Sequence, residues 1–242
     1  MSTTEAVAAK RMVRIPAGLG LLDGELTAPV QARGLVIFAC ERDPRMLLDL
    51  GGVASELELH GFATLLFDFL GVLDEPHDGV NFDGGNVELF AHRLVAATVW
   101  AEREEETASL PIGYFGSGVG SAVALLAAMT RPRLVRAIVS GGGRPDLAAT
   151  SLHRVEAATL LIIEGNDISA IRAGGDVLEH LGGIKKMCVI PGASRSFGES
   201  GASEALTRLA TEWFTLYLGD APSSVGSTHK REVHYMKGSS AA

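Results

Sequence analysis

The chain has 242 residues, 21 Lys+Arg against 29 Asp+Glu, a formal net charge of −8, and 47% hydrophobic residues. That apolar fraction excludes a disordered chain, and the length suits one large domain that buries a core without disulfide or metal staples. The acidic balance argues against a general nucleic-acid or anionic-membrane binder, because phosphate groups repel it.

Arg11 to Ile15 and Gly20 to Thr27 read as two early antiparallel strands, and Gly34 to Ala39 as a short buried strand. Asp43-Pro44 then has the form of an N-cap followed by Pro at the first helical position, with Met46, Leu50, Val53 and Leu57 at helical spacing behind it. Ala63 to Phe69 is the next strand. Residues 71–85 form a Gly/Asp-rich loop, and a helix follows with Val87, Phe90, Leu94 and Ala97 on one face. Strands at Leu110 to Phe115, Val135 to Ser140, Thr159 to Glu164 and Lys186 to Ile190 alternate with helices at Val119 to Thr130 and Ile171 to Leu181. Leu206, Leu209, Trp213 and Leu216 stripe a final helix that stops at Gly219. This alternation is the pattern of a mostly parallel sheet covered on both faces. Residues 1–220 are expected as one domain. Residues 221–242 are Ser/Gly-rich and read as a mobile tail, with a short docking segment around Val233 to Tyr235 as the other reading.

Two cysteines, Cys40 and Cys188, are too few for a disulfide framework or a four-thiolate zinc site and fit a reducing compartment. The first 14 residues lack the apolar core of a secretory signal. No apolar run reaches the roughly 18 residues of a spanning helix, so a cytoplasmic protein without membrane contact is expected.

Four segments carry a resemblance. Gly113-Tyr114-Phe115-Gly116-Ser117-Gly118-Val119-Gly120 sits at a strand-to-helix turn, and Gly142-Gly143-Arg144-Pro145-Asp146-Leu147 follows the next strand. Glu164-Gly165-Asn166-Asp167 ends the strand after that, and Pro191-Gly192-Ala193-Ser194-Arg195-Ser196-Phe197 follows the last. In order and spacing the chain resembles the dienelactone-hydrolase-like branch of the α/β-hydrolases over nearly its whole length except the tail. The resemblance implies an α/β-hydrolase fold, with an eight-stranded, mostly parallel sheet. It also implies a catalytic triad, namely a nucleophile at the centre of G-x-S-x-G, an acid after a later strand and a His after the last strand.

The residues here depart from that pattern. The elbow Gly116-Ser117-Gly118-Val119-Gly120 places Gly118, which has no side chain, at the nucleophile position. Centring the motif on Ser117 instead would put Phe115 and Val119 where the close-packed turn wants Gly. The acid position, Asp167, is intact. The base position is Arg195, which stays protonated and cannot accept a proton. None of His60, His77, His92, His153, His180, His229 or His234 lies in that loop. Where the family shows His-Gly after its early strand, this chain reads Cys40-Glu41-Arg42-Asp43, and a carboxylate at Glu41 would repel a developing oxyanion. The backbone N–H of Val119 needs no particular side chain to serve as a donor. Gly118 also relieves on the order of 1 kcal/mol of strain at a positive-φ apex.

These departures point to a homologue without hydrolase activity that serves as a binding or structural protein. Its pocket is expected among Cys40, Glu41, Arg42, Ser117, Val119, Asp167 and Arg195, with His77 facing the same sheet end. A rewired hydrolase or isomerase using Cys40 or Glu41 on a small carbonyl compound or ester is the alternative. Cys40 reads more simply as a buried small residue, and Cys188 as core. Asp167 and Arg195 are placed to form an ion pair, either a structural bridge or an anion-binding element. Asp74, Glu75, His77 and Asp78 are sequential and read as a solvated loop, so no metal or cofactor is expected. A small-molecule ligand, a protein partner or a second copy of the chain remain open.

Overall fold

The computed structural model describes residues 9–40, 44–70, 84–148, 152–195, 197–199, 201–219 and 231–235. Among the described residues nine strands form one sheet in the order β1-β2-β4-β3-β5-β6-β7-β8-β9. In chain order they are β1 (Ala9–Ala17), β2 (Gly20–Ala28), β3 (Leu35–Ala39), β4 (Ala63–Phe67), β5 (Ile112–Gly116), β6 (Val135–Gly141), β7 (Ala158–Glu164), β8 (Lys185–Ile190) and β9 (Arg231–Tyr235). β1 pairs antiparallel with β2, and β2 with β4. Every pairing from β4 through β9 is parallel. Five α-helices lie among the described residues: α1 (Pro44–Leu59), α2 (Val87–Ala101), α3 (Gly120–Thr130), α4 (Ile168–His180) and α5 (Ala202–Leu218). The α/β-hydrolase layout expected from the sequence is therefore present.

The central strands are buried on both faces, so they read as continuous apolar runs rather than alternating ones. In β3, Leu35, Ile37 and Ala39 join the core beneath α2, α3 and α4, while Val36 and Phe38 join the core beneath α1 and α5. On the second face Trp213 donates its indole N–H to the Ala158 carbonyl at 3.0 Å, which pins α5 to β7 while the ring stays buried.

Two differences from the sequence reading concern ends. The segment expected as a tail is described at Arg231–Tyr235, where it adds a ninth strand in parallel register with Lys185–Val189 of β8. Its backbone satisfies an edge that β8 would otherwise leave open. α4 begins at Ile168 rather than Ile171, because Asp167 caps it. The Asp43 cap, the loop with Asp74, Glu75, His77 and Asp78, and the pocket residues Glu41 and Arg42 lie outside the described residues.

Candidate functional site

The site is built at the carboxyl ends of β5, β6, β7 and β8. β5 runs into α3 through a turn made almost wholly of backbone. The Ser117 N–H donates to the Ala39 carbonyl at 3.2 Å, and the Gly120 N–H donates to the Ser117 carbonyl at 2.9 Å. Gly118 sits at the apex with φ +59°, and a Cβ there would meet no atom within 4 Å. Its flanking glycines are different. A Cβ on Gly116 would lie 2.5 Å from the Gly120 carbonyl oxygen, and one on Gly120 would lie 1.6 Å from that of Ala39. Thus 116 and 120 are glycine for close approach, and 118 for its dihedral angle. The positive φ of this turn falls on residue 118.

A second turn locks the first. Gly142 (φ +71°) and Gly143 (φ +96°) lead out of β6 in a tight turn. The following Arg144 N–H donates to the Gly118 carbonyl at 3.0 Å. The Ser121 hydroxyl donates to the Gly142 carbonyl at 2.7 Å, tying the first turn of α3 to the same loop.

Asp167 is not held by Arg195. Its Oδ1 accepts from the Ser169 N–H at 2.9 Å, the Ala170 N–H at 3.0 Å and the Ser169 hydroxyl. The expected Asp167–Arg195 ion pair does not form. The carboxylate instead satisfies the first amides of α4, the nearest donors in sequence. The Ser169 hydroxyl, then the Ala170 N–H and, among the weaker causes, the charge of Arg195 hold the Asp167 carboxyl below its ordinary range. A depressed carboxylate stabilises the fold at neutral pH and loses that contribution as pH falls through its folded value. Asp167→Ala should accordingly lower Tm at pH 7, with the gap to wild type closing in acid, as thermal unfolding followed by circular dichroism at several pH values would show.

Arg195 is exposed on the loop after β8. That loop is anchored by the Asn166 side-chain amide donating to the Gly192 carbonyl at 2.8 Å and by the Asn166 N–H donating to that of Ala193 at 3.1 Å. Cys40 is a buried free thiol at the end of β3, and burial alone pushes its pKa up to about 12. Cys188 is buried in β8, and burial raises its pKa as well. Ser117 and Val119 are half-buried, Val119 packing against the core. Among the described residues no cluster of three His, Cys, Asp or Glu side chains could hold a metal ion.

A cavity of about 250 Å³ opens between these loops, lined by Gly143, Arg144, Glu164, Asp167, Ser169 and Arg195 among others. Cys40, Ser117 and Val119 do not line it. Two of its charges are spent on each other, since Arg144 chelates Asp146 at 2.8–3.1 Å. Glu164 is the residue that sequence reading passed over. It ends β7 after an unbroken apolar run, is 1% exposed, and its Oε2 has no hydrogen-bond partner. Burial raises its pKa against the opposing pull of its own N–H and that of Gly143. The sequence signal was a carboxylate at a strand position that the sheet buries on both faces.

No family model matches the chain. It is 40% identical to the dienelactone hydrolase of Anabaena variabilis ATCC 29413, with a TM-score of 0.80 over 87% of this chain and 99% of that one. A dienelactone-hydrolase-like promiscuous phosphotriesterase from metagenomic libraries shares the fold, with TM-score 0.71 and 18% identity over 86% of this chain and 98% of the other. A curated protein of Mycobacterium tuberculosis (strain ATCC 25618 / H37Rv), provisionally named a phosphoribosyl transferase, is 41% identical over 213 residues. Those residues are 87% of this chain and 47% of that protein, so the chain spans about half the length of the curated relatives it matches. No described helix is long and apolar enough to cross a membrane.

Proposed function

Since the chain belongs to the dienelactone-hydrolase family of α/β-hydrolases, we propose that it keeps the family's scaffold and a polar pocket while lacking the hydrolytic reaction. The observation that carries this reading is the elbow itself. Its positive-φ apex, where the family's nucleophile stands, is Gly118, and no reacting atom projects from it. Arg195 at the base position offers donors only. Losing the nucleophile or the base alone costs a serine hydrolase about a millionfold. What remains is a pocket at the carboxyl ends of parallel strands, a place where open α/β sheets bind ligands whatever the chemistry. The protein is then a binding or structural homologue.

The rewired alternative needs another nucleophile. Cys40 is a poor one, because a buried thiol with a pKa near 12 holds almost no thiolate at neutral pH. The purified protein should hydrolyse p-nitrophenyl acetate and dienelactone at the buffer rate. Turnover above that rate, abolished by Cys40→Ala, would establish the rewired enzyme instead.

The length of the mycobacterial relatives favours one further reading. The matched residues are about half of a protein named for phosphoribosyl transfer, and on that ground we propose as a second reading that this chain serves beside such an activity and does not perform it. Phosphoribosyl transfer by the isolated chain would place that activity within it.

A further inference from the structure

Glu164 ends β7 with a carboxyl group sealed from water: the residue is 1% exposed, and Oε2 has no hydrogen-bond partner. Such a group is costly to keep once it is charged. Phe197 lies beside it. A Cβ on Gly142 would sit 2.8 Å from Phe197 Cε2 and 3.2 Å from Glu164 Oε2, so ring and carboxyl meet over the same glycine. Phe197 is itself buried, and its φ of +51° lies in the left-handed region that a residue with a Cβ rarely adopts. Its N–H donates to the Ser194 carbonyl at 3.0 Å, and the Ser194 N–H donates to Glu199 at 3.0 Å. A strained turn held by two local hydrogen bonds thus seats an aromatic ring against a group that prefers water when ionised.

We propose that Phe197 is a proton-controlled cover, seated while the Glu164 carboxyl is protonated and displaced when it ionises, so that water reaches Oε2. Two opposed costs make it a switch. Closing hides the ring from water but keeps the strained dihedral angle and the unsolvated oxygen. Opening releases both and exposes the ring. Burial holds the Glu164 carboxyl above its ordinary range; its own N–H, that of Gly143 and the charge of Arg195 oppose this, and the charge of Asp167 adds to it. The other carboxylates of the surrounding loops titrate elsewhere. Hydrogen bonds from Arg144, Ser169 and Ser194 hold Asp146, Asp167 and Glu199 below their ordinary ranges. A carboxyl raised by folding stabilises the closed form fully below its unfolded value, and that contribution is lost as pH rises through its folded one. Opening therefore sets in above the ordinary carboxylate range, where the Asp167 contribution is constant. Glu164 also lines the cavity beside Arg195, so the same step widens it. This inference rests on the fold and not on the lack of hydrolysis.

Amide hydrogen exchange at Phe197, read by NMR on the full chain at about pH 5 and about pH 8, tests it. Rates are divided by the intrinsic chemical rate at each pH. Protection at Phe197 should fall by about tenfold or more at the higher pH, because each pH unit above the folded value of Glu164 shifts the balance by up to about tenfold. It should also lie well below the protection of the β6 amides, which marks a local opening. Glu164→Gln cannot ionise and should leave Phe197 equally protected at both pH values. Phe197→Ala removes the cover and should flatten the fall of Tm between the same pH values, which keeps the test decisive if Glu164→Gln fails to fold. Equal wild-type protection at both pH values, a loss in Glu164→Gln as large as in the wild type, or Phe197 exchanging only together with β6 would overturn the proposal. The readout involves no ester, so failure here leaves the lack of hydrolysis standing, and ester turnover would leave this result untouched.

Discussion

Gly120→Ala should leave little folded protein. The added methyl carbon would sit 1.6 Å from the Ala39 carbonyl oxygen, and both ends of that collision are backbone. No side chain can rotate away. α3 would have to lift from β3, breaking the Ser117 N–H to Ala39 carbonyl bond and opening the core beneath Ala122 and Val123. Ordinary overpacking costs about 1–3 kcal/mol, and a backbone collision this deep exceeds it. Against a total stability of about 5–15 kcal/mol that is enough to unfold the chain. Gly118→Ala is the matched control. Its new carbon meets nothing within 4 Å, so only the positive φ is charged, about 1–2 kcal/mol. Soluble yield and thermal unfolding of the two variants should separate them widely. Equal stability would show that β3 and α3 do not approach closely enough at Gly120 to exclude a methyl group.

Gly118→Ser with Arg195→His should raise ester hydrolysis above the rate of the wild type. The apex has room for the serine, at the same cost of about 1–2 kcal/mol for its dihedral angle. The Val119 N–H, at the start of α3, takes no partner among the described residues and is placed to receive an oxyanion. Asp167 spends Oδ1 on capping α4, which leaves Oδ2 for a His at 195. Nucleophile and base act as a unit, so each single variant should stay at the buffer rate while the pair rises by about a hundredfold or more. p-Nitrophenyl acetate hydrolysis by all four proteins decides this. A folded double variant that stays at the buffer rate would mean that the pocket, and not only its nucleophile and base, has left the family's chemistry.

The alternation of apolar strands with amphipathic helices determined the layers, because burial on both faces leaves a periodic trace in the residues themselves. The spacing of Gly116, Gly118 and Gly120 determined the elbow, since close backbone approach and a positive φ each restrict a position to glycine. That 118 carries no side chain and 195 no titratable base is likewise written in the chain.

Partnerships were decided only by the tertiary structure. Asp167 looked available to Arg195 until the fold started α4 one residue after it, and backbone amides two and three residues away took the carboxylate. Residues 231–235 sit in a segment read from the sequence as a tail, and it is the edge of β8 that gives them a register. Glu164 is one acidic letter after an apolar run. The segments that follow β6, β7 and β8 gather around it, the carboxylate is buried, Oε2 has no donor and Arg195 does not reach it. Periodicity and glycine spacing are local and survive in one dimension. Which donor reaches which acceptor depends on segments distant in sequence, and that is settled only when the sheet closes its order.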